Sequence, residues 1–185
     1  MTALDLIVGE TKFLVGERMK IMNEAFRAAV QKAEEAWGLK YGGMYPQAGE
    51  FGVTTIRPRH MQHGTTSNVP ESWEFALSTV GWATLVNNNV IQDVYLGIVG
   101  FAFPNVKKAI NLMQIDAGGQ TLPVIDIEET HAYEEPMVLF KQPLVIQENQ
   151  PVKIQVSNDT PVRQKVIPLG FALVKTAKLI SQTPT

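Results

Sequence analysis

The side chains best suited to chemistry in this 185-residue chain are three histidines and a group of carboxylates. His60 and His63 stand close together, while His131 lies far along the chain beside Glu128, Glu129, Glu134 and Glu135. Imidazole nitrogen together with carboxylate oxygen would suit zinc, iron or manganese. The setting argues against such a centre. Pro58 and Gly64 frame the histidine pair, so the stretch reads as a loop and not as a strand that aims both rings at one point. Both histidines are therefore expected to be exposed loop residues, and the acidic group is expected to form a loop at a subunit contact.

Other chemistries find less support. Asp126, Glu128 and Glu129 offer carboxyl groups, but glycoside hydrolysis needs two of them across a cleft, and any acidic strand end supplies that much. There is no Gly-x-Ser-x-Gly elbow and no cysteine nucleophile. No phosphate-cradling glycine loop is present either, and Gly97-Ile98-Val99-Gly100 reads as close packing or a bulge within an apolar run. Arg57-Pro58-Arg59-His60 and Lys107-Lys108 are too few charges to hold nucleic acid, whose affinity scales with the phosphates neutralised. Trp37, Trp73 and Trp82 could stack on a sugar or a base, yet large aromatics in patterned segments more often anchor cores and interfaces.

The elements that must position these residues are of two kinds. Over residues 15–37, Val15, Met19, Met22, Phe26, Ala29, Val30, Ala33 and Trp37 recur at steps of three and four, which is one face of an α-helix. Gly38 follows as its expected stop. Such a helix either packs along its own domain or lies against a neighbouring subunit as an exchanged arm. Glycines and a proline over 38–46 then mark the junction to the body.

Beyond Phe51 the helical period disappears, and short β-branched or aromatic runs alternate with turn residues, as in an all-β sandwich. Strands are expected over 52–57, 72–77, 81–86, 93–101, 108–115, 122–128, 137–140, 144–147, 152–157 and 165–175. Asn87-Asn88-Asn89 is expected as a turn, and Gly118-Gly119 as a hairpin turn at positive φ. Val152, Ile154 and Val156 alternate with Lys153, Gln155 and Ser157, so that strand should bury one face and wet the other. Pro168 lacks an N–H for the ladder and should sit at a bulge or an edge.

Composition bounds the function. The length matches about one domain. Charged residues make up 18% of the chain, below the roughly 25% typical of soluble domains, which favours surface buried against partners. A formal charge of −2 gives no global attraction for nucleic acid. Without cysteine there is no disulfide, and residues 1–9 lack the pattern of a signal peptide, so the mature protein is expected to be the whole chain.

The C-terminal half carries a resemblance. Pro143-Leu144-Val145-Ile146, then Gln150-Pro151-Val152-Lys153-Ile154-Gln155-Val156, a polar turn, and Ile167-Pro168-Leu169-Gly170-Phe171-Ala172-Leu173-Val174 resemble the closing strands of small single jelly-roll capsid proteins of viruses and phages. A helical arm before the barrel is similar to several of them. The resemblance implies a mainly β fold, a jelly-roll β-sandwich preceded by one long N-terminal amphipathic α-helix, with residues 1–43 as arm and 44–185 as sandwich in one folding unit. It implies a non-enzymatic virion protein, a coat subunit made in the host cytoplasm that assembles into an icosahedral shell without cofactor, metal or small-molecule substrate. Its partners would be copies of itself and other virion proteins, with the genome or an internal membrane as further contacts.

Met19, Met22, Phe26, Val30, Trp37, Trp73, Phe101 and Phe103 are the expected subunit contacts. Two alternatives stand beside this reading. One is a receptor- or carbohydrate-binding sandwich of a tail or surface fibre. The other is a cupin-like metal enzyme, although the close histidine pair, following carboxylate and flanking glycines of that motif are not matched here.

Overall fold

Strands of two sequence types build two kinds of sheet. The computed structural model describes residues 6–7, 15–40, 50–63, 72–105, 107–132 and 137–176. In chain order the elements are β1 (Leu6–Ile7), α1 (Val15–Lys40), β2 (Phe51–Thr54), β3 (Glu74–Leu77), β4 (Gly81–Asn89), β5 (Val94–Ala102), β6 (Ile110–Ala117) and β7 (Gln120–Thr121). They continue with β8 (Ile125–Asp126), α2 (Glu128–Ala132), β9 (Met137–Ile146), β10 (Pro151–Asn158), β11 (Val162–Lys165) and β12 (Ile167–Lys175). The protein is mainly β, with antiparallel sheets consistent with a sandwich. One sheet has the order β1-β9-β5-β12-β2 and the other β4-β10-β6-β7, with β8 also paired to β6; β3 and β11 form a short ribbon.

One long hairpin generates most of this pairing. Gly118 and Gly119, at φ +58° and +82°, form the two-residue turn between Ala117 and its partner Gln120. Two central residues at positive φ give the turn whose twist matches the flanking strands, as the glycine pair predicts. Outward from this tip the two arms stay aligned. Met113 faces Ile125, Leu96 faces Ile146, Asn89 faces Pro151, Leu77 faces Val162 and Val53 faces Leu173. The ribbon is then rolled on itself, so that β12 lies beside β5 and β10 beside β6.

Burial explains the two strand types. β10 along its length, and β6 from Met113 onward, alternate buried and more exposed residues because one face meets the core and the other meets solvent. β5 is buried along nearly its whole length, because both of its faces are covered. Its Val94, Leu96, Ile98 and Phe101 enter the core cluster that also holds Met113, Ile115, Ile154 and Val156 from the opposite sheet. On the far side, Tyr95 and Val99 join Phe171 and Leu173 of β12 in a second cluster, against which Val30 and Ala36 of α1 pack. Phe26 adds an edge-to-face contact with Phe171 at 5.5 Å between ring centroids. α1 thus lies along the outer face of its own sheet. Its opposite side is solvated, with Lys32 and Gln31 donating to the Glu35 carboxylate at 2.9 and 3.0 Å and holding that group below its ordinary value.

Several local expectations are corrected. Gly38 does not stop the helix, which runs on to Lys40; a glycine in the final turn costs little because the carbonyls there have no intrahelical partner and the end is only loosely held. Asn87-Asn88-Asn89 is strand, not turn: these residues complete β4 opposite Lys153, Val152 and Pro151. Residues 122–128 do not form one strand, because Asp126 ends β8 and its Oδ1 accepts from the N–H groups of Glu128 and Glu129 at 2.9 and 3.3 Å, starting α2. The segments 137–140 and 144–147 merge into β9, with Pro143 at an irregularity where β5 partners jump from Leu144 to Leu139. Pro168 lies beside the register shift between Leu169 and Gly170, as the missing N–H demands.

Candidate interaction surfaces

His60 and His63 occupy a built corner and not an exposed loop. Pro58 pre-sets the backbone for a single turn of 3-10 helix over Pro58–Met61, which buries Pro58, His60 and Met61. The His60 side chain is fully buried; its Nδ1 accepts from the Arg57 N–H at 3.1 Å, so the ring carries its proton on Nε2. The His60 carbonyl accepts from Ile91 N–H, tying this turn to the chain that leaves β4. The expectation of exposure fails because the turn's backbone and the Nδ1 of His60 find partners, which lets this polar residue be buried. His63 is half-buried, its ring parallel to Trp73 at 6.4 Å and 5.0 Å from Phe75.

These apolar rings lower the pKa of His63, since burial penalises its charged form. The folded value lies below the ordinary 6.5, so the unfolded chain takes up the proton first as pH falls. The stability associated with neutral His63 is present above pH 6.5 and is lost between there and the lower folded value. We expect the urea midpoint of the wild type to drop more between pH 7.5 and 5 than that of His63→Gln. Equal drops in the two proteins would show that His63 does not carry the pH dependence.

Among the described residues no three His, Cys, Asp or Glu side chains gather closely enough to hold a metal ion. Asp126 is engaged as the cap of α2, and Glu128 and Glu129 are exposed on that helix. The side chain of His131, and Glu134 and Glu135, lie outside the described residues. No helix among the described residues is long and apolar enough to cross a membrane.

The expected subunit contacts divide into three groups. Phe101 and Phe103 are 0% and 4% exposed in the core of their own subunit, so neither offers surface to a neighbour. Their apolar run is explained by a strand covered on both faces. Trp73 is half-buried against the same core and donates from Nε1 to the Ile56 carbonyl at 3.2 Å. Val30, on the inner side of α1, packs against the second cluster of its own subunit, and Phe26 keeps 40% of its surface exposed. The side chains of Met19, Met22 and Trp37 lie outside the described residues.

A surface not singled out from the sequence emerges on the second sheet. Register aligns three rows across the outer face of β4, β10 and β6: Trp82, Ser157 and Leu112; Thr84, Gln155 and Gln114; Asn87, Lys153 and Asp116. Gln155 donates from Nε2 to Thr84 Oγ1 at 3.2 Å, and the Lys153 ammonium stands 4.0 Å from an Asp116 carboxylate oxygen. Trp82 retains 47% exposure. The alternation in β6 and β10 reveals that one face is wet. Which residues of three distant strands share a row depends on register, which the sequence does not print. Set against models of protein families, curated proteins and solved structures, the chain matches none.

Proposed function

We propose that this chain is a jelly-roll coat subunit that assembles with copies of itself into a closed shell. The observation that carries the reading is the nested ladder. Counting β7 and β8 as one strand, the main strands in chain order are β2, β4, β5, β6, β7–β8, β9, β10 and β12, and they pair first with last, second with seventh, third with sixth and fourth with fifth. The eighth also lies beside the third and the seventh beside the fourth, as in a hairpin rolled into two Greek keys. A sandwich of this kind, bearing a long N-terminal helix and few charges, suits a subunit whose work is burial between copies. On this reading the protein is made in the host cytoplasm and ends in the virion, with its own copies and other virion proteins as partners and no cofactor.

Fold alone does not carry function, so assembly is the property to measure. Light scattering and negative-stain imaging of the full chain across concentration are expected to find large particles of regular size without added ligand. A monomer at every concentration would sink the proposal. Deleting α1 is a poor test, because it would strip the cover from Tyr95, Val99, Phe171 and Leu173. A second reading, a carbohydrate-binding sandwich, is favoured by one observation: the exposed Trp82 ring stands among amide and hydroxyl side chains.

A further inference from the structure

We infer that the outer face of the β4–β10–β6 sheet is a contact between copies, docking on the same face of a second chain across a two-fold axis. The inference rests on the reading of the chain as an assembling subunit and names the surface that does it. The opposite sheet already carries α1 on its outer face, so this is the sandwich face left open in the described structure.

Three properties of the face select a second copy as occupant. Its three rows hold one cation and one anion, Lys153 and Asp116, which face each other at 4.0 Å and leave the centre neutral. A copy approaching it meets no like-charge repulsion, whereas a phosphate backbone or an acidic peptide would find no excess of cations. The central groups are amides and hydroxyls, each both donor and acceptor, so the patch is complementary to itself, which is what a two-fold contact requires. Trp82 supplies an aromatic anchor: it is 47% exposed beside the small Ser157, in the charge-poor setting typical of interface centres.

Size supports a contact that is weak alone and adequate in a shell. Three strands about 4.8 Å apart, each eight or nine residues long at about 3.3 Å per residue, make a rectangle on the order of 400 Å². That is roughly half of the ~800 Å² per partner in a standard interface.

The chain has no cysteine, so single introduced thiols report position cleanly. Gln155→Cys is placed at the centre of the face and Ser157→Cys beside Trp82 on its middle strand, and Gln31→Cys on the solvated side of α1 serves as control. With a short bismaleimide, the two face variants are expected to give a covalent dimer and the control to stay monomeric on a denaturing gel. Trp82→Lys should raise the concentration needed for assembly at least tenfold. Its circular dichroism and melting should match the wild type, because the ring is half-exposed.

If wild-type particles form and Trp82→Lys assembles at the same concentration with no face-to-face cross-link, the contact lies elsewhere and only the coat reading survives. If the wild type is monomeric throughout, both readings fall. A monomer whose tryptophan fluorescence shifts with maltohexaose or cellohexaose, and no longer does so in Trp82→Ala, would assign the face to glycan and overturn the inference.

Discussion

Phe101→Ala is expected to lower the unfolding free energy by about 3–5 kcal/mol, the range for truncating a large buried aromatic. The ring is fully buried. It points into the core between the sheets and meets Phe140 at 6.0 Å between centroids, a pair that contributes about 0.5–1.5 kcal/mol beyond area alone. Its backbone is held on both sides, by Val138 of β9 and Pro168 of β12, so the strands cannot easily close over the missing ring. Urea unfolding followed by tryptophan fluorescence measures the loss, and particles assembled well below the melting point should keep their form. A loss under about 1 kcal/mol combined with abolished assembly would instead return Phe101 to the subunit contacts, where the sequence had put it.

Gly170→Ala should be at least as damaging, for a backbone reason. Gly170 lies at φ +138°, a conformation L side chains rarely adopt, beside the register shift where β12 and β5 fall out of step. A Cβ there would collide with the Gly97 carbonyl oxygen of the neighbouring strand. That atom is backbone, so relief requires moving β12 away from β5 in the middle of the sheet. Gly100 has the same problem against the Val138 carbonyl. Gly81 is the internal control: it also has positive φ, +104°, but nothing lies within 4 Å of the Cβ site. We expect Gly81→Ala to cost about 1–2 kcal/mol from local strain, and Gly170→Ala to cost more than about 4 kcal/mol or to prevent folding. Similar melting temperatures for the two variants would show that the β12–β5 approach is looser than described.

The pair Gly97 and Gly170 shows where reading a sequence runs short. Gly97-Ile98-Val99-Gly100 is recognisable as a bulge or close approach, and a register shift does fall there. Nothing in the chain announces that the strand arriving beside Gly97 seventy residues later also brings a glycine. His60 teaches the same lesson from the other side. Between Pro58 and Gly64 it reads as a loop residue, and it is buried because Arg57 N–H meets its ring and Ile91 N–H meets its carbonyl. Phe101 and Phe103 read as contact residues because an apolar run does not say which side chains face the partner sheet of the same chain; both lie in the core between the sheets.

What the sequence determined by itself is local and periodic. A step of 3.6 marks α1, strict alternation marks β10, a continuous apolar run marks β5, and two glycines mark the hairpin tip. Each follows from geometry within a few residues: the turn of a helix, the pleat of a strand, the absence of a Cβ. The tertiary structure decided what depends on residues far apart. It rolled the ribbon so that β12 meets β5, laid α1 on one sheet and left the other open, and gathered Trp82, Gln155 and Gln114 onto one face. Those outcomes are set by which long-range pairings bury the most apolar surface while satisfying every backbone donor, a comparison among whole folds that no single stretch of sequence contains.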